Sequence, residues 1–389
     1  MHRESGLIVE ILGILAFVVA LLLSVMVHEF GHYITARKFN MKVTEFFLGF
    51  GKRIWSYRRG ETEFGIKAIP AGGYCKISGM TPDDEMDPSE ESRAFYRARS
   101  SKKLIVLGAG SFLHFVLGIL LLFTLLAGVG VNALTSVVKE VVPESSAAAA
   151  GFQVGDEISS INNEEISDWA RGVEIIRSSN GSQLTFTILR DGQEMELRAT
   201  PRLTDVGGEQ RYVLGVINEV GTKRLGVLRS AKESLSITGS MTIESLKSLA
   251  LLPTKIPELW GQTFGGKDRD ANGLVGVVGV ARVSGETLAS GDQNWAQRIG
   301  TFLLIIASLN IFVGIFNLLP ILPLDGGHMA VAIADEIRAF FARLRGRPRP
   351  APINVQVLTP ITAVVVVILI GLTLLLLVAD IINPISLNG

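Results

Sequence analysis

The sequence predicts a polytopic α-helical membrane protein with four transmembrane helices, a membrane-associated β-hairpin loop and a separate α+β domain outside the membrane. Three observations predict this. Hydrophobic residues make up 48% of the 389-residue chain and charged residues only 19%, too apolar a balance for an ordinary soluble protein. Four segments, 7–34, 104–131, 299–322 and 357–379, are each about 20 residues or longer, enough to cross a hydrocarbon core of about 30 Å. Between the second and third lies a long stretch of short apolar runs broken by Gly, Asp and Asn turns, the pattern of a small domain built on strands.

The divisions that follow begin with a first transmembrane helix over 1–39 and a cytoplasmic loop carrying the hairpin over 40–103. A second transmembrane helix over 104–131, the α+β domain over 132–203 and a linker with an amphipathic helix over 204–298 come next. The chain closes with a third transmembrane helix over 299–328, a basic cytoplasmic loop over 329–356 and a fourth transmembrane helix over 357–380. The first apolar run is longer than that of a signal peptide and no small-x-small cleavage site follows it, so it is read as a retained span.

Basic residues set the orientation. They run densely from Arg37 to Lys103 between spans one and two, and Arg338, Arg343, Arg345, Arg347 and Arg349 stand between spans three and four. The positive-inside rule makes both loops cytoplasmic. Both termini and the 132–298 region are then extracytoplasmic, in a protein of the cell membrane. Formal charge is zero, which points to no nucleic-acid partner. The one cysteine, Cys75, excludes an internal disulfide framework and a multi-cysteine zinc site.

In the first loop, Arg53–Arg58, a turn at Gly60 and Glu63–Ile69 predict a hairpin. The preceding Phe46-Phe47-Leu48-Gly49-Phe50-Gly51 is too apolar for a solvated loop. It is expected to dip into the membrane where protein or a water cavity satisfies its backbone. Residues 81–92, acidic with two prolines, read as a mobile loop. The outer region carries Pro143-x-Ser145-x-Ala147, Ala150-Gly151-Phe152-x-x-Gly155-Asp156 and Ile161-Asn162, a succession that resembles a bacterial PDZ domain. That resemblance implies capture of extended peptides or protein termini by strand addition; the alternative is a spacer. The apolar spacing over 226–252 predicts an amphipathic helix, lying on the outer membrane surface or packed on the neighbouring domain.

The chemistry concentrates at the end of span one, in His28-Glu29-Phe30-Gly31-His32. Histidines four apart share one helical face and can hold one Zn²⁺. Glu29 stands where a general base must stand to take a proton from attacking water. Ionisable groups inside a membrane helix are costly, which argues against a chance pairing. Spans one and three cross in the same direction, so their ends share a face. Span three runs into Asn317-Leu318-Leu319-Pro320-Ile321-Leu322-Pro323-Leu324-Asp325-Gly326-Gly327, which brings Asp325 to the leaflet of His28 and His32 as the expected third metal ligand. The prolines break the helix there, and the glycines permit a tight turn.

His-Glu-x-x-His in the first span, Asn-x-x-Pro-x-x-x-Leu-Asp-Gly after the third and the PDZ-like insert together resemble the site-2 protease family over nearly the whole chain. Gly49-Phe50-Gly51 and Ile69-Pro70-Ala71-Gly72-Gly73-Tyr74 are similar to that family's membrane-associated β-loop. Leu252-Pro253-Thr254-Lys255, Val277-Val278-Gly279 and Ala379-Asp380-Ile381-Ile382-Asn383-Pro384-Ile385 resemble its actinobacterial branch. The resemblance implies a zinc intramembrane endopeptidase with one Zn²⁺ per chain, cleaving single-span proteins such as anti-sigma factors after prior outer trimming. It also implies Asp325 as ligand and Asn317, with Pro320, as substrate-positioning residues. For Asn317 a helix–helix hydrogen bond is an equal alternative. One departure stands out: where the family has Gly-Pro-x-x-Asn, this chain has Gly110-Ser111-Phe112-Leu113-His114. His114, about 16 Å along the helix from Lys103, is expected to hydrogen-bond near metal or substrate. His328 is expected to serve beside the site and not as a ligand. Two competing classes are a non-catalytic PDZ scaffold with a relic metal site and a transporter. Intact Glu29 argues against the first and a nearly featureless fourth span against the second.

Overall fold

A computed structural model describes residues 2–166, 169–270, 273–291 and 293–385. The first elements are α1 (His2–Lys38), β1 (Val43–Arg59), β2 (Thr62–Ile77) and α2 (Ser100–Thr124). Then follow β3 (Val131–Val141), α3 (Ser146–Ala150), β4 (Glu157–Ile161), β5 (Glu164–Glu165), α4 (Trp169–Ser178), β6 (Leu184–Arg190) and β7 (Gln193–Ala199). After β8 (Arg202–Val206), β9 (Glu209–Val213) and β10 (Val216–Lys223), the rest is helical: α5 (Val227–Phe264), α6 (Val277–Ala289), α7 (Trp295–Asn317), α8 (Asp325–Leu344) and α9 (Thr359–Ile382). These elements form two compact units, residues 1–129 with 225–389, and residues 130–224.

In the helical unit Gly6–Lys38, Ser100–Val129, Trp295–Asn317 and Val355–Ile382 are long and apolar enough to span a bilayer. The chain is thus a multi-pass membrane protein with a β-sheet domain. α7 starts on a capping box: Asn294 accepts from the Gln297 backbone N–H, and the Gln297 side chain accepts from that of Asn294. It ends at Asn317, ahead of Pro320 and Pro323, and the helix resumes as α8 at Asp325. The expected third segment over 299–328 is two helices joined by a non-helical turn.

Small residues set the closest helix contacts. A Cβ on Gly13 of α1 would come within 2.8 Å of the Gly285 Cα on α6, so these helices meet backbone to backbone. α5 runs on past Pro253 and Pro257 and packs Ile237, Met241 and Leu249 on Leu122 of α2 and Ala307 and Ile311 of α7. It lies against the spans, a packing that neither expectation for it included. In α9 only Ala379 and Asp380 are buried; Asp380 accepts from the Gly279 N–H at 2.8 Å and from Arg269 at 3.2 Å.

The hairpin is longer than the sequence suggests. β1 and β2 pair antiparallel from Arg59↔Thr62, across a turn where Gly60 has φ 63°, back to Val43↔Ile77. Phe46–Gly51 belongs to β1, and Pro70–Tyr74 to β2. Val43 and Ile77 pack on Ala36 and Val106, which seats the hairpin's base on α1 and α2.

In the sheet domain the strand order is β10-β3-β4-β6-β7, with β5 beside β4 and a separate β8–β9 ribbon. Leu184, Phe186 and Ile188 alternate inward along β6 onto Val138, Phe152, Ile158 and Ile161. Ser145 caps α3 by accepting the Ala148 N–H, and Gly151 ends it at φ 87°. Buried Asp156 holds Arg190 through two bonds of 2.7 and 2.8 Å and accepts the Gln153 N–H. Because β10 pairs with β3, this unit closes at Arg224, past the 203 read from sequence.

Candidate metal centre and active site

His28 and His32 lie one turn apart on α1, and both are buried. Their Nε2 atoms are 3.0 Å apart, and the Asp325 Oδ2 is 3.2 Å from one and 3.3 Å from the other. Atoms each about 2.0–2.1 Å from one tetrahedral Zn²⁺ would stand roughly 3.3 Å apart, close to this triangle. The His32 Nδ1–H donates to the Val106 carbonyl at 2.8 Å, which leaves the Nε2 lone pair facing the other two donors. Converging lone pairs on two imidazoles and a carboxylate repel one another unless a cation sits among them. The residues present fit a zinc ion.

The local sequence explains how they meet. A Cβ on Gly110 of α2 would stand 2.5 Å from the His28 ring, so only glycine lets that ring lie against the helix. Cβ atoms on Gly326 and Gly327 would come within 2.3 Å of Leu318 and 2.5 Å of Leu322. This pair of glycines therefore folds the start of α8 onto the end of α7 and turns Asp325 toward α1. Asp325 is the first residue of α8, where the helix dipole favours a carboxylate.

Glu29 is half-buried and faces the Cys75 backbone N–H of β2. A Cβ on Gly73 would stand 3.3 Å from the Glu29 Cγ, so the strand passes closely over this carboxylate. The His114 ring lies 5.0 Å from that of His28. Asn317 sits half-buried at the last turn of α7, Pro320 is exposed in the break, and His328 lines a small cleft with Tyr96 and Leu107, apart from the three donors.

Sequence reasoning missed Asn310 and Ser24. The Asn310 amide donates to the Ser24 Oγ at 3.0 Å and to the Ile306 carbonyl at 2.8 Å, which leaves its oxygen to accept the His114 Nδ1–H at 2.8 Å. All three side chains are buried, and they join α1, α2 and α7. The available signal was a lone amide in the middle of an otherwise apolar span.

Three side chains able to hold a metal, two on a span and one at a helix break, with a glutamate beside them, fit a membrane metallopeptidase. The model of peptidase family M50 matches residues 16–367, and the chain belongs to that family, the site-2 proteases; it is a zinc metalloendopeptidase. Zinc metalloprotease Rip1 of Mycobacterium tuberculosis is 36% identical over 405 residues, covering 96% of this chain and 98% of that protein. Rip1 of Mycolicibacterium smegmatis is 36% identical with 97% and 98% covered. A putative zinc metalloprotease of Rickettsia conorii is 29% identical with 84% and 89% covered.

Proposed function

We propose that this protein hydrolyses peptide bonds of single-span membrane proteins within the bilayer, using one zinc ion held by His28, His32 and Asp325. The observation that carries the reading is the convergence of those three donors, from opposite ends of the chain, next to Glu29 and at the end of a membrane span. When bound, zinc polarises the scissile carbonyl and acidifies the attacking water. Glu29 takes the proton from that water and passes it to the leaving amine. Asn310 holds His114 with Nδ1 protonated, so its Nε2 is an acceptor for a substrate backbone N–H. Asn317 and Pro320 flank the entry to the break and position substrate there.

The substrates are proposed to be proteins already trimmed outside the membrane, anti-sigma factors among them, as the family resemblance implies. The basic loops support a cell-membrane orientation with both termini and the sheet domain outside. The sheet domain supplies none of the reacting side chains. Its proposed work, as a PDZ-like module, is to choose substrates by their new termini.

The decisive experiment compares membrane-protein fragments from cells carrying wild type or Glu29→Gln. The amide cannot accept a proton, so fragments should vanish and an uncleaved client should co-purify, with zinc content unchanged. Cleavage near the wild-type rate would reject the mechanism. A deletion of 137–201 that folds and binds zinc should still cleave a pre-trimmed client; complete loss would reject selection as the domain's role.

A further inference from the structure

α8 presents two unlike apolar faces. Ala332, Ala339 and Ala342 are buried against the protein. On the opposite side Ile333, Ile337, Phe340, Phe341 and Leu344, spaced at helical intervals, are each between 45% and 67% exposed. A helix bordered by water would carry polar residues there.

Arginines rim the C-terminal end of this stripe. Residues past α8 fold back on it: Arg349 reaches Glu336 at 2.6 Å, and the Ile353 N–H reaches Asp335 at 2.9 Å. The fold-back makes an open cleft of about 430 Å³ lined by Ile337, Arg338, Phe341, Arg345, Arg347 and Pro348. Arg338 is paired with Asp335, whereas Arg345 and Arg347 have no carboxylate partner among the described residues. Cationic heads beside an unpartnered apolar wall match the two halves of one amphiphile. The membrane is the occupant favoured by continuity, since the chain leaves one span at Asn317 and enters the next at Val355, which ties both ends of this segment to the bilayer.

We propose that the C-terminal half of α8 and residues 345–350 bind an anionic phospholipid, its phosphate held by Arg345 and Arg347 and its acyl chain against Ile337 and Phe341. This does not depend on the catalytic reading. The test places the full chain in phosphatidylcholine nanodiscs containing a minor fraction of brominated lipid, either phosphatidylglycerol or phosphatidylcholine. Phe341→Trp supplies the reporter, read as its difference from the protein with only its four native tryptophans. Brominated phosphatidylglycerol should quench this signal at a fraction at least about tenfold lower than brominated phosphatidylcholine.

Each arginine at an anionic surface is worth roughly fivefold, so Arg345→Gln with Arg347→Gln should cut the preference at least about tenfold. Quenching by phosphatidylcholine should persist, because the apolar stripe is intact. Added salt should weaken the preference in the Phe341→Trp protein with both arginines present, a reading that does not depend on how the double variant inserts. Equal quenching by both lipids, or a preference indifferent to salt, overturns the headgroup site. Quenching by neither shows that this face meets something other than lipid. Abolition by inorganic phosphate assigns the cleft to the free ion instead.

Discussion

In the sheet domain the largest fully buried side chains, Phe186, Ile158, Ile161 and Ile188, are apolar, while in the helical unit His114, Asn310, Ser24 and Ser111 are buried and Leu15, Leu23, Val367 and Ile368 stand bare. Water drives the first arrangement, because burying apolar area releases free energy only where the alternative is aqueous. Lipid offers no such drive between helices, so close apolar packing is joined by backbone approaches at glycines such as Gly13 and Gly285 and by hydrogen-bonded polar groups. The contrast teaches how to weigh an interior polar residue. In the sheet domain Asp156 is a structural strut; in the spans buried His28, His32 and Asn310 are the groups on which the proposed chemistry rests.

Phe186→Ala should break the sheet domain by about 3–5 kcal/mol, read by denaturant unfolding of that unit. Zinc content of the helical unit should not change; a loss of metal would mean that the two units do not separate in this way. The reverse case is Asp325→Ala, which should weaken zinc binding more than about 100-fold in a chelator competition. Unfolding of the sheet domain should be unaffected. Retention of full zinc affinity would remove Asp325 from the ligand set.

Asn310→Leu sharpens the comparison, since it replaces a buried amide by an apolar group of similar size. Cleavage should fall roughly tenfold as His114 loses its orientation, with zinc content kept and a stability loss of about 1–3 kcal/mol from the unpaired His114 and Ser24. Unchanged cleavage would reduce Asn310 to a helix contact.

The smallest effect is expected at Asp156. Burial alone would raise its carboxyl, but the Arg190 hydrogen bonds, the Gln153 N–H and the Arg190 charge hold it below the usual aspartate range. Its contribution to stability is therefore complete above the unfolded value of about 3.9 and fades as pH falls through the lower folded value. Urea unfolding of the sheet domain, followed by exchange mass spectrometry across that acid window, should show the loss in wild type. Asp156→Asn should be weaker at neutral pH and lack this dependence.

The spans, the helix break before Asp325 and the His-Glu-x-x-His turn are legible in sequence because each depends on local composition or spacing. The Asn310–His114–Ser24 chain is not, because tertiary packing chooses an amide's partners and a single sequence records only that the amide exists. α6 lies in the region that the sequence presents as linker, for a related reason. Val277-Val278-Gly279-Val280 has poor helix propensity, and contact with α1 through Gly285 and Gly13 overrides it. The sheet domain extends past residue 203 through β9 and β10 because β10 finds its partner in β3, some eighty residues earlier, which no local pattern encodes.

The fourth span shows what lies at the other extreme. With only Ala379 and Asp380 buried, α9 asks of almost every position nothing beyond greasiness, so it stores very little information. A saturation scan across it should read as a plateau of interchangeable aliphatic letters. The plateau should end in one narrow notch, where Asp380 receives Arg269 and Gly279 and a single letter cannot be respelled.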